Sequence, residues 1–255
     1  MRQAARLLQW HAIVRSEQAD DQQAATSLHA MLRLAASLKD QPTLLSHLMK
    51  ISIEVLACRT IQTAMGQTDL TDEQLARLGS ALIDAVDDAS MMRALVGERC
   101  VGLDLLKHKS LFLRWVFERR SYLNMIDRAI AYAAKPTSTV ADDRAFVDAV
   151  LPWAPLSGIL APPIEAAVNQ EHKSQGILVR TATAIAVRRY QMAHGAPPAT
   201  LNALVPRFLP AVPRDPSNGR PMRLTVTPTE LRISSTTQKK SADDSQDGAD
   251  SVPWG

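Results

Sequence analysis

The chain has 255 residues and a mass of 27.9 kDa, with 29 Lys plus Arg against 26 Asp plus Glu and a formal charge of +3. Hydrophobic residues make up 46%, enough to bury a core, so global disorder is excluded. Ten Gly and 4% aromatics stand beside abundant Ala, Leu, Arg and Gln. These residues lose little rotamer freedom in a helix, so a mainly β protein is not expected.

The basicity is thin. Arg119-Arg120, Arg188-Arg189 and Lys239-Lys240 are isolated doublets. A nucleic-acid binder concentrates its positive charge on one face, often with interleaved aromatics, so no nucleic-acid partner is expected. There is no run of eighteen apolar residues, and hence no expected membrane span. Arg2 and Arg6 give a basic start, but Gln9, His11 and Arg15 interrupt any signal-peptide core. The expected location is the cytoplasm, or the cell envelope should a hydrophobic segment precede the chain. Cys58 and Cys100 lie in apolar helical patterns without metal-ligand spacing, as small buried hydrophobes do.

Residues 2–18 read as an amphipathic first helix with Leu7, Leu8, Ala12 and Ile13. Over 20–39, Ala24, Leu28, Met31, Leu32, Ala35 and Leu38 recur at three- and four-residue steps, which places them on one helical face. Asp40-Gln41-Pro42 punctuates, and 42–65 continues with Leu44, Leu48, Ile51, Val55 and Cys58. Thr71 followed by Gln74 has the form of a capping box, opening a helix with Leu75, Leu78, Leu82 and Val86. Residues 90–107, 109–134 and a shorter stretch near 141–151 read as further helices. Pro162-Pro163 then opens a long helix from Ile164 to Met192, with a weak point at Gln175-Gly176 and one apolar stripe through Leu178, Ala182 and Ile185. His194-Gly195 stops it. The first pairs are faintly tetratricopeptide-like, but no repeat keeps its period over three units. The expected fold is mainly α: an irregular multi-helix array over 1–155, then a long helix and a small α+β module over 156–235.

After the long helix, Thr200 opens a short helix with Leu201 and Leu204, and Asp215-Pro216-Ser217-Asn218-Gly219 is a strong turn. Met222, Leu224 and Val226, then Leu231 and Ile233, alternate with polar residues. They predict a β-hairpin whose apolar face packs on the helix surface around Ile185. Residues 236–255 are polar and acidic, and are expected to be disordered.

The signals from the end of the long helix onward come in a fixed order: Tyr190, Gly195, Pro198, Leu204-Val205-Pro206, Pro213, Asp215-Pro216, Gly219 and Pro221. On these residues, 180–226 resembles the C-terminal half of the major pseudopilins of type II secretion systems. The resemblance implies a helix ending near Tyr and Gly, a short helix, and a basic-Asp-Pro loop leading into a hairpin. It also implies an acidic loop that binds calcium, matched by Asp243, Asp244, Asp247, Asp250 and Trp254. The sequence departs from that family at Ser217-Asn218, where Trp-Gly is usual, and 1–179 contain no hydrophobic membrane helix. The whole chain is also similar to uncharacterised bacterial proteins that join a helical region to such a module.

Calcium takes several carboxylate oxygens held by a tight loop, and the tail lacks the spacing of an EF-hand. A solvated acidic tail accounts for its four Asp more simply, and no cofactor is expected. His11, His29, His47, His108, His172 and His194 form no ligand pattern and are expected at the surface or at helix ends. Glu171 and His172 are adjacent, so on a helix they point about 100° apart and do not share a metal. Neither a serine elbow, a phosphate loop nor a dinucleotide fingerprint occurs. No catalytic residue is therefore assigned. The expected function is a non-catalytic interaction or assembly protein with protein partners, linked to secretion or the envelope. A helical adaptor and an enzyme of unknown substrate are the alternatives.

Overall fold

The computed structural model describes residues 1–87, 89–107, 112–134, 155–216, 219–226, 230–234 and 251–253. They form α1 (Arg2–Glu17), α2 (Asp21–Ala36), α3 (Leu44–Met65), α4 (Asp72–Ala85), α5 (Ser90–Lys107), α6 (Phe112–Ala133) and α7 (Pro155–His194). A 3-10 turn (Leu201–Leu204) follows, then β1 (Arg223–Val226), β2 (Glu230–Ser234) and β3 (Ser251–Pro253). The protein is thus mainly α with a small antiparallel sheet. The short helix expected near 141–151 lies outside the described residues.

Local chemistry sets the helix starts. Asp20 accepts from the Gln23 amide at 3.2 Å and caps α2. Thr43 does the same for α3 through the Ser46 amide. Thr71 and Gln74 complete the capping box: Thr71 Oγ1 accepts from the Gln74 amide at 3.3 Å, and Gln74 Oε1 accepts from the Thr71 amide at 2.9 Å. Each bond satisfies an amide that has no partner within its own helix.

Helix α7 differs most from the sequence expectation. It starts at Pro155, not Pro162-Pro163, and runs 40 residues without a break at Gln175-Gly176. Proline is well suited to a first helical position, since its missing N–H would have no partner there anyway. A mid-helix glycine costs only about 1 kcal/mol in propensity, and packing on both sides outweighs it. At about 1.5 Å per residue the helix is roughly 60 Å long, and it contributes to three hydrophobic cores in succession.

Ile164, Ala167 and Val168 pack with Met91 and Leu95 of α5 and with Tyr122, Met125 and Ile126 of α6. Leu178, Ala182 and Ile185 join Leu28 and Met31 of α2, Ala57 and Ile61 of α3, and Leu75, Leu78 and Leu82 of α4. Ala184, Ala186 and Val187 pack with Leu201, Leu204, Phe208, Leu209, Met222 and Ile233. Every residue from 181 to 187 is buried. The expectation of one apolar stripe is therefore corrected: this part of α7 is covered all round, as a central helix is. The hairpin sits on the Ala184–Val187 face, while Ile185 faces α4, where its Cγ2 would lie 3.4 Å from a Cβ placed on Gly79.

The C-terminal sheet has the order β1-β2-β3, antiparallel throughout. Leu224 pairs with Ile233 and Val226 with Leu231, and Leu224 and Ile233 both pack into the core beneath the sheet. Ser251–Pro253 adds a third strand, with Leu231 opposite Val252. These three residues lie within 236–255, where the sequence predicts a disordered tail; the rest of that stretch is outside the described residues. An edge strand carries unpaired N–H and C=O groups, and β3 satisfies those of β2. Asp243, Asp244, Asp247, Asp250 and Trp254 lie outside the described residues.

Candidate functional site

A polar seam runs through the interior between α3 and α7. On α3 it is carried by His47, Lys50, Glu54, Cys58 and Gln62, spaced by three or four so that they share one face. His47, Lys50, Glu54 and Glu171 are all less than a tenth exposed. Burying a charge is costly unless it is paired; here His47 faces Glu171 and Lys50 faces Glu54.

Glu171 is the centre of the seam. Its Oε2 lies 2.9 Å from His47 Nε2. Its Oε1 accepts from Ser90 Oγ of α5 at 2.7 Å and from Gln175 Nε2 at 2.7 Å. Burial pushes its pKa up, but the bonds from His47, Gln175 and Ser90 outweigh it and hold the carboxyl below its usual range. One turn along α3, Lys50 Nζ lies 2.8 Å from Glu54 Oε1. Burial raises the pKa of Glu54, only partly offset by Lys50, and Oε2 of Glu54 has no hydrogen-bond partner among the described residues. Farther along, burial pushes the Cys58 thiol up to about 12, and Gln62 Nε2 donates to Thr181 Oγ1 of α7 at 3.2 Å. Cys58 is free and buried as expected, but Cys100 is free and exposed, which corrects the expectation that both are small buried hydrophobes.

His47 lies in the first turn of α3, at a helix end as expected, but it is 4% exposed and so is no surface residue. Its ring is sequestered because Glu171, across the helix–helix contact, supplies a charged acceptor in place of water. The α3 spacing was the signal available in the sequence. The partner 124 residues away was not visible there.

Next to this seam is a cleft of about 430 Å³, walled by Val86, Met91 and Val168 and by the polar groups of Glu171, His172, Arg214 and Asp215. Burial lowers the pKa of His172, with Glu171 opposing, and its Nε2 is unpartnered among the described residues. The far wall is the Asp-Pro turn singled out in the sequence. Asp215 is buried; its amide donates to the Arg220 carbonyl at 2.9 Å and its carbonyl accepts from the Gly219 amide at 2.8 Å. Gly219 has φ 66°, a conformation that glycine adopts without penalty. Arg214 bridges Pro221, Arg214 Nη1 donates to the Gly219 carbonyl at 3.0 Å, and the Met222 amide donates to the Pro213 carbonyl at 3.0 Å.

The other signature residues cluster where α7 ends. Tyr190 stacks on His194 with ring centroids 4.0 Å apart and meets Phe208 edge-on at 5.7 Å. Gly195 has φ 74° and its amide donates to the Gln191 carbonyl at 2.8 Å, the geometry of a helix stop. Pro198 is buried. The signature residues thus form two groups, the helix stop around Tyr190 and the Asp215 turn, and only the second reaches the cleft.

The order of groups limits the chemistry. Ser90 and His47 bind opposite oxygens of the same carboxylate. Activating a serine requires the base on its hydroxyl and the acid behind the base. Here the carboxylate stands between them. Among the described residues, no three His, Cys, Asp or Glu side chains converge as metal ligands. No family model, curated protein or solved structure matches the chain.

Proposed function

We propose that the protein is a non-catalytic interaction and assembly protein, in which a helical domain carries a C-terminal module similar to the globular part of type II secretion major pseudopilins. The observation that carries this reading is the build of that module. A long helix stops at Gly195, a short turn of helix follows, and a closed Asp-Pro loop leads into an antiparallel sheet laid on the helix. The inner face of the sheet is spent on packing through Leu224 and Ile233. Its outer face exposes Arg223, Thr225 and Arg232, a polar surface suited to a transient partner. The Ser–Glu–His order of the buried seam supports the non-catalytic part.

The test uses the full chain and the double variant Arg223→Glu, Arg232→Glu, whose side chains are exposed and whose loss leaves the core intact. Pull-downs from native bacterial envelope extracts should recover secretion or envelope components with the parent chain and lose them with the variant. Absence of such components from the parent, or their undiminished recovery by the variant, would make the module a lid on a helical adaptor.

A further inference from the structure

Helix α1 contains an apolar stripe that the fold leaves uncovered. Leu7 is 71% exposed, Trp10 64% and Val14 44%. At about 100° per residue these three fall within roughly 60° of one another. They lie roughly opposite Ala5, Ala12 and Ser16, which are buried against the rest of the protein. Exposed Leu45 and Met192, by contrast, are on other helices. A tryptophan and two aliphatics in line at three- and four-residue steps form a patch, and patches of this kind mark contact surfaces.

The charge around the stripe indicates what covers it. From Arg2 to Ser16 the helix has three arginines and no carboxylate; Glu17 is its only acid. Arg15 is occupied, 3.6 Å from Asp20 and donating to Gln18 at 3.2 Å. Arg2 and Arg6 are exposed and have no carboxylate partner among the described residues. An apolar face containing Trp, bordered by arginines, is what an interfacial helix presents to anionic lipid: the rings and aliphatics enter the acyl boundary and the guanidinium groups stay with the phosphates. A second copy of the chain fits less well, because two such faces would bring six arginines together with two carboxylates. No described helix is long and apolar enough to cross a membrane, so this contact is peripheral.

We propose that the outer face of α1 docks the protein on an anionic membrane surface, with the helix in the interfacial plane, Leu7, Trp10 and Val14 inserted, and Arg2 and Arg6 at the headgroups. This does not depend on the reading of the C-terminal module.

The experiment is co-sedimentation of the full chain with phosphatidylserine–phosphatidylcholine vesicles and with pure phosphatidylcholine vesicles. The parent chain should pellet with the anionic vesicles and far less with the neutral ones. Replacing Leu7, Trp10 and Val14 together by Gln, or Arg2 and Arg6 together by Gln, should each weaken anionic-vesicle binding by roughly tenfold. Circular dichroism and thermal melting should stay at parent values, because all five side chains point outward. The proposal is overturned if the parent does not pellet with anionic vesicles, if it binds neutral vesicles equally, or if the triple variant binds as the parent does. It is also overturned if the parent is a dimer in solution that the triple variant dissociates, which would assign the stripe to a second copy.

Discussion

Glu171 holds His47, Ser90 and Gln175 through two oxygens and is itself almost fully buried. Glu171→Ala strands all three partners, and chemical denaturation should show a loss of about 3 kcal/mol. The pH dependence has a definite sign. The folded pKa of Glu171 is depressed, so its stabilisation is present above the ordinary glutamate range and is lost as pH falls through the folded value. The stability difference between parent and Glu171→Gln should therefore shrink on acidification. Glu54 acts oppositely: its folded pKa is raised, so its ionisation disfavours the fold as pH rises through that interval. Glu54→Gln should therefore gain stability relative to the parent as pH rises through that interval, and Lys50→Met with Glu54→Leu should be neutral or stabilising. Equilibrium unfolding of the two variants separates these outcomes. The thiols give a further check. Cys58 is buried with a pKa near 12 and Cys100 is exposed, so a thiol reagent at neutral pH should titrate one group in the native protein and two in denaturant.

Among the helices, close approach at α5 is the most demanding feature. A Cβ on Gly97 would run into the Pro42 backbone, and one on Gly102 into the Tyr122 ring, whose hydroxyl donates to the Glu98 carbonyl at 2.8 Å. Gly97→Ala therefore should not behave as a mild propensity gain. It should destabilise by about 2 kcal/mol, read as a lower denaturant midpoint, because backbone cannot give way as a flexible side chain can. At α4 the capping box and an ion pair act together. Arg189 of α7 donates to Asp72 at 2.7 and 3.1 Å, and this bond lowers the Asp72 pKa. The pair is bidentate but Asp72 is largely exposed, so solvent screens it and its contribution is small.

In the molecule as a whole, α7 is the shared axis of the three cores to which it contributes. Damage to one core should therefore be felt in the others. Leu204 is fully buried under the sheet, and Leu204→Ala should cost about 3 kcal/mol while keeping a single unfolding transition, seen by calorimetry and by far-ultraviolet dichroism at the same temperature. Two separate transitions would show that the C-terminal module unfolds on its own.

Helix positions, the caps at Asp20 and Thr71, the helix stop at Gly195 and the register of β1 with β2 are encoded over a few residues each, and the sequence alone determines them. Periodicity, capping chemistry and turn residues act locally, so they can be read locally. The start of α7 was misplaced because a proline opens a helix equally well at 155 and at 162, and local signals do not decide between the two. The buried seam was half legible: the steps from His47 to Gln62 are in the sequence, but the identity of Glu171 and Ser90 as partners depends on contacts 124 and 81 residues apart. The uncovered stripe of α1 shows the same division. The sequence groups Leu7 with Leu8, Ala12 and Ile13, but Leu7 is 71% exposed on the side away from buried Ala12, which corrects that expectation. Which of the helix's apolar residues would be buried and which left facing outward was settled only when the small residues Ala5 and Ala12 let the neighbouring helices close on the other side.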